Sequence, residues 1–258
     1  MRAAGFRRTL ERVSEERFIV VLRDPELPPF LAVARALAHA RGTPALDQTA
    51  AAKSAWGIVA EKLAAAEAQT LQQRLAAEGL ACAVLPEAQL PTLAPITPVV
   101  RWEPFDLARL RVLGAAAVPF TTTHTTKVKE GPGAGLKVVN AAIMMSTGLP
   151  IHLGGKEKIV EKTTTQTDRL FYMDLLLDNP VAHYRLASHD FDYTHLKEKK
   201  SLQSFANYRQ MILDLAAAAP QATLNHGVRV LRANRPVAEM LYASLAEYER
   251  ELRWRLQL

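Results

Sequence analysis

The first third of the chain alternates short apolar blocks with polar breaks. "RFIVVL" (Arg17–Leu22) is a β-branched apolar run bounded by charge, which reads as a buried strand. "RDPELPP" follows as a turn whose prolines open a helix. In "FLAVARALAHA", Phe30, Val33, Ala34, Leu37 and Ala38 recur on one helical face, and Gly42 suits a left-handed helix stop. A second helix is expected over Ala45–Lys53, and "WGIVAEKL" (Trp56–Leu63) reads as a strand. "AAAEAQTLQQRLAAEG" predicts a helix with Ala68, Leu71 and Leu75 inward, and "LACAVLP" a last strand. Strands returned by helices in this order are expected to pair in parallel or mixed fashion.

Prolines crowd the stretch Pro86–Phe105, where a chain without backbone donors reads as a linker. Beyond it, "TTTHTT" alternates with a period of two, a strand signal carried by threonine. "RLFYMDLLLDNP" predicts a strand ending in a turn, with "AHYRLASHDFDY" as its partner. "SLQSFANYRQMILDLAAAAP" is amphipathic through Leu202, Phe205, Tyr208, Ile212 and Leu215. The last stretch, Pro236–Leu256, predicts one long helix with the stripe Val237, Leu241, Leu245, Tyr248 and Leu252. The fold class is therefore α+β. A small α/β domain spans 15–88, a linker 89–105, and a mostly antiparallel sheet domain with C-terminal helices 106–258.

The order strand, helix, helix, strand, helix, strand ends in "GIVAEKLAAAEAQTLQQRLAAEGLACAVLP". It resembles the C-terminal domain of the bacterial ribosomal stalk protein, which closes with a strand, a helix of A-E-x-x-x-L-x-x-x-L-x-x-x-G rhythm, and a strand. The Clp protease adaptor family shares that fold and carries an acidic turn after its first strand, as "LRDPELPP" does here. The resemblance covers roughly Phe18–Pro86 and implies a small domain that docks partner proteins. The adaptor family's pocket uses an Asn-Asp pair and a helical histidine, of which Asp24 alone has a counterpart. The stalk family's lysine-rich contact face is replaced by alanines and glutamines.

Composition narrows the chemistry. Of 258 residues, 49% are hydrophobic and 22% charged, ordinary for a folded protein. The lone cysteine, Cys82, allows no internal disulfide, and its apolar surroundings suit a small buried hydrophobe. No run approaches ~18 apolar residues, and the N-terminus lacks a secretory apolar core. These features point to a cytoplasmic protein with no membrane contact and a structured N-terminus. The net charge of +6 permits nucleic-acid binding, but the cations alternate with acids along the chain.

Three of seven histidines fall in "HYRLASHDFDYTHL", where His189, Asp190 and His195 are candidate ligands of a metal-dependent hydrolase. On an extended strand, residues six apart stand roughly 20 Å from each other. The simpler reading is a hairpin that buries Phe191 and Tyr193. The glycine-rich stretches Gly131–Lys137 and Gly148–Lys158 lack the lysine-hydroxyl ending of a phosphate loop, so they read as hairpin tips and no cofactor is expected. The favoured reading is a non-enzymatic adaptor that acts through contacts with another protein. Its candidate contact residues are Asp24 and, in the terminal "ERELRWRLQL", Arg250, Arg253 and Trp254, since Trp and Arg dominate binding hot spots. Trp254 lies off the apolar stripe of its helix, which points it at an external partner.

Overall fold

Three β-branched residues in "FIVVL" make Phe18–Leu22 strand β1, the middle strand of a three-stranded sheet in a computed structural model that describes residues 16–130, 158–179 and 181–258. Helix α1 (Phe30–Arg41) ends at Gly42, whose φ of 65° is the left-handed stop expected from the sequence. A 3-10 turn (Ala45–Gln48) and helix α2 (Thr49–Lys53) lead into β2 (Ile58–Leu63). Helix α3 (Ala65–Ala77) then returns the chain to β3 (Cys82–Pro86). The order is β2-β1-β3, and β1 is antiparallel to both neighbours. Parallel or mixed pairing was the expectation. It fails because β1 lies between the two strands that α3 connects, which separates the only parallel pair. Ile19, Leu37, Ile58, Leu71 and Leu75 form the buried core here, and Trp254 belongs to the same cluster.

The second sheet has the order β4-β7-β6-β5-β8, built from β4 (Ile96–Pro98), β5 (Leu110–Glu130), β6 (Lys158–Leu177), β7 (Ala182–Ala187) and β8 (Thr223–Leu224). β6 and β7 are antiparallel, whereas β4 joins β7 and β8 joins β5 in parallel. Alternation sorts the faces. Leu113, Ala115, Met173, Leu175 and Leu186 share a core with Tyr208, Met211, Ile212 and Leu215 of α4 (Ser204–Ala218) and with Val228 and Leu231 of α5 (His226–Arg232). On the other face Val112, Ala116 and Leu176 pack with Tyr248 and Leu252 of α6 (Leu245–Gln257).

The expected helix Pro236–Leu256 is broken. Val237–Met240 is a 3-10 turn, Leu241 makes a bridge to Ala117, and α6 begins only at Leu245. Ser244 stops the first element and starts the second: its hydroxyl accepts the Glu247 N–H at 3.3 Å, while Glu247 accepts the Ala243 N–H at 3.0 Å. Leu202, expected on the α4 stripe, precedes that helix and is fully exposed.

Residues 1–119 and 170–258 form one compact unit, and residues 120–169 a second. This division falls at other residues than the one expected at 89–105. The prolines of 89–105 do not separate two bodies: Leu90 is buried in the first core, β4 pairs with β7, and Trp102 and Phe105 pack on the second core. In the second unit, residues 120–130 and 158–169 are strand, and the Thr125 and Thr163 hydroxyls meet at 3.5 Å. The N-terminal residues 1–15 and the glycine-rich stretches, apart from the strand residue Lys158, lie outside the described residues. No helix among the described residues is long and apolar enough to cross a membrane.

Candidate functional site

The connection from β1 to α1 is short, proline-rich and clamped at its root. Asp24 accepts the Glu26 N–H at 2.8 Å, which closes a local turn and leaves its carboxylate exposed. Behind it, Trp254 donates its indole N–H to the Leu22 carbonyl at 2.8 Å, and Arg255 donates to the Pro25 carbonyl at 2.6 Å. Pro28 and Pro29 then fix the backbone into the first turn of α1.

A groove of about 480 Å³ opens beside this connection, lined by Leu27, Pro28, Pro29, Phe30, Lys53 and Trp56 among others. Phe30 is 38% exposed and Leu31 54%. The Lys53 ammonium sits 4.9 Å from the Phe30 ring centre, a cation–π contact that orients the ring. Trp56 forms the inner wall. Its ring lies 4.2 Å from Tyr242 and 5.7 Å from His226, and its indole N–H reaches Glu247 at 3.3 Å. Its φ of 43° is unusual for a bulky residue, and the ring is fixed by these partners.

Gly57 explains how the tryptophans coexist. It has φ of 86°, and a Cβ there would fall 1.9 Å from the Trp254 ring. Gly57→Ala is therefore expected to combine backbone strain with overpacking of about 1–3 kcal/mol. Urea titration of the variant should show a lowered midpoint, and an unchanged midpoint would contradict this packing.

Of the terminal residues read as a partner surface, Trp254 is corrected. Trp254 has no exposure and fills the core under β1. Arg250 pairs with Glu61 of β2, and Arg253 reaches Glu61 at 3.5 Å and the Pro91 carbonyl at 3.3 Å. The off-stripe position of Trp254 does mark a second face of α6, but that face meets the chain's own N-terminal sheet. Between the two faces lies a buried carboxylate. Glu251 accepts from Arg255 at 2.8 and 3.0 Å, from the His226 N–H at 2.8 Å, and from the Tyr242 hydroxyl. Burial and the adjacent Glu251 charge push the Tyr242 phenol well above its usual range, so it stays a donor.

The histidine-rich stretch also resolves differently from the metal reading. Residues 188–190 are a turn and Thr194–Lys199 a 3-10 helix, so no strand carries them. His189 pairs with Asp190 at 3.0 Å, both exposed, while His195 stacks on Trp102. Phe191 and Tyr193 are buried, as expected. Among the described residues no group of three His, Cys, Asp or Glu side chains is placed to hold a metal. This separation corrects the ligand set His189, Asp190 and His195. His183 is instead buried on β7, where its ring meets Asp174 and faces the Ala94 carbonyl at 3.3 Å. Arg185 bonds the same Asp174 at 2.9 Å and Glu249 at 2.9 Å.

The groove residues escaped the sequence reading. The helical period places Phe30 on the inward stripe of α1, yet it sits in the first turn, before the buried residues begin at Ala32. The available signal was Leu31, a second large apolar residue that breaks the period directly after two prolines. No protein-family model, curated protein or solved structure matches the chain.

Proposed function

We propose that this is a non-enzymatic, cytoplasmic binding protein that docks an extended apolar segment of a partner protein in the Leu27–Trp56 groove. One observation carries the reading: Phe30 stands exposed on a groove whose walls are fixed by proline and by the Trp56 contacts, and the exposed Leu31 follows it in the chain. Large apolar side chains left at the surface on a rigid support are the usual anchors of protein contacts. The strained Trp56 backbone adds support, since such strain concentrates at sites that bind. The resemblance of Phe18–Pro86 to families that dock partners points the same way. Asp24, exposed at the start of the connection, would meet a cation on the bound segment. By contrast, Asp174, His183 and Glu251 are buried and bonded within the chain, which supports a structural rather than a catalytic role for them.

The test is an affinity capture with Phe30→Glu, Leu31→Glu and, as a control, Leu202→Glu at an exposed apolar site elsewhere. Each buried anchor contributes about 1.5–3 kcal/mol, so the first two variants should weaken partner binding roughly tenfold or more. Their melting temperatures should stay near that of the parent, and Leu202→Glu should bind normally. Equal binding by all three variants would reject the groove.

A further inference from the structure

A second pocket lies far along the chain from the groove residues, against the proline-rich segment. The Trp102 and His195 rings stack with centres 5.1 Å apart and planes 20° from parallel. Phe105 meets Trp102 edge-on at 5.5 Å, and Phe191 meets His195 edge-on at 5.7 Å, so the stacked wall is braced on both sides. Beside it opens a pocket of about 270 Å³ with an apolar floor from Leu107, Met211 and Leu215. Met211 and Leu215 are buried residues of α4, which makes the floor part of the core. At the rim Lys199 and Asp214 pair at 3.2 Å, and Gln210 donates to Asp214 at 2.8 Å. Burial lowers the pKa of His195, against the opposing pull of Asp192 and Asp214. The wall is therefore largely uncharged at neutral pH, and the pocket's charge comes from one ammonium and one carboxylate.

We propose that this pocket binds a free zwitterionic α-amino acid with an aromatic or branched apolar side chain. Its carboxylate would meet Lys199, its ammonium Asp214, and its side chain would lie along the Trp102–His195 wall over the apolar floor. Charge complementarity selects the zwitterion. A simple anion would face Asp214, a simple cation would face Lys199, and only a ligand carrying both charges close together satisfies both. The ion pair at the rim is solvent-exposed, with the two side chains 63% and 44% accessible, so separating it to admit a ligand costs little. At about 270 Å³ the pocket falls just below the roughly 300–1,000 Å³ of drug-sized sites, a size that suits an amino acid better than a nucleotide.

Calorimetric titration of the full chain decides the matter with three ligands: L-phenylalanine, L-leucine and N-acetyl-L-phenylalaninamide, which keeps the ring but has neither charge. L-phenylalanine is expected to bind in the millimolar range or tighter, L-leucine more weakly, and the blocked amide not at all. Lys199→Met and Asp214→Asn are each expected to lower the affinity for L-phenylalanine at least about tenfold, the loss of one charged contact. Both positions lie at the surface, so unchanged melting temperatures will separate loss of binding from loss of fold. The proposal is overturned if neither free amino acid binds the folded protein at millimolar concentration. It is equally overturned if the blocked amide binds as well as L-phenylalanine, or if both variants bind as the parent does.

Discussion

Trp254→Ala is expected to remove about 3–5 kcal/mol of stability, the range for deleting a fully buried large aromatic side chain. That is a large share of a typical margin of about 5–15 kcal/mol. Two losses combine. The indole fills the space above Gly57, where nothing else replaces it, and its N–H is the donor that satisfies the Leu22 carbonyl at the end of β1. Trp254→Phe should separate them, because it keeps much of the volume and forfeits the hydrogen bond, a net contribution of about 0.5–1.5 kcal/mol. Urea unfolding of both variants gives the comparison. A Trp254→Ala protein as stable as the parent would mean that α6 does not pack under β1.

Glu251→Ala is expected to be comparably severe for an electrostatic reason. Glu251 and Arg255 are buried together, with side-chain exposures of 0% and 1%. Removing the carboxylate leaves the guanidinium enclosed with, among the described residues, the Pro25 carbonyl as its remaining acceptor, and also strands the donors of His226 and Tyr242. Breaking a buried pair by deleting one partner costs about 3–5 kcal/mol, whereas replacing both with apolar residues of similar size is often close to neutral. Glu251→Leu combined with Arg255→Met should therefore be milder than Glu251→Ala alone. Denaturant titrations of the single and double variants test this, and a double variant worse than the single would contradict the paired-charge account.

Much of the N-terminal part was legible because its signals are local. β-Branched runs gave β1 and β2, a 3.6-residue period gave α1 and α3, and Gly42 marked a helix end. Strand direction was not legible, since it depends on where β1 inserts between β2 and β3. The break before α6 was legible in principle: Ser244 and Glu247 have the Ser-x-x-Glu spacing of a capped helix start, but the apolar stripe runs straight through it. Trp254 illustrates the harder limit. Its angle on the helix followed from counting residues, whereas its neighbours, Leu22 and Gly57, lie some two hundred positions away and leave no trace in local pattern. Arg250 and Arg253 looked free for the same reason, because their partner Glu61 belongs to β2. In the histidine-rich stretch the expected strand runs only to Ala187, and beyond it turns and a 3-10 helix take its place. Of the groove, the sequence offered the paired prolines, with Asp24 nearby in the chain; Phe30 is masked by its agreement with the helical period.

Docking of a partner on the groove between the β1–α1 connection and α2 stands as the proposal. Amide hydrogen exchange on the full chain, with and without the partner recovered by affinity capture, tests it most directly. Exchange should slow at Leu27 and Phe30–Val33 and across Ala52–Gly57 when the partner is bound, and stay unchanged in α4. Protection that appears elsewhere while these segments exchange as before would contradict it.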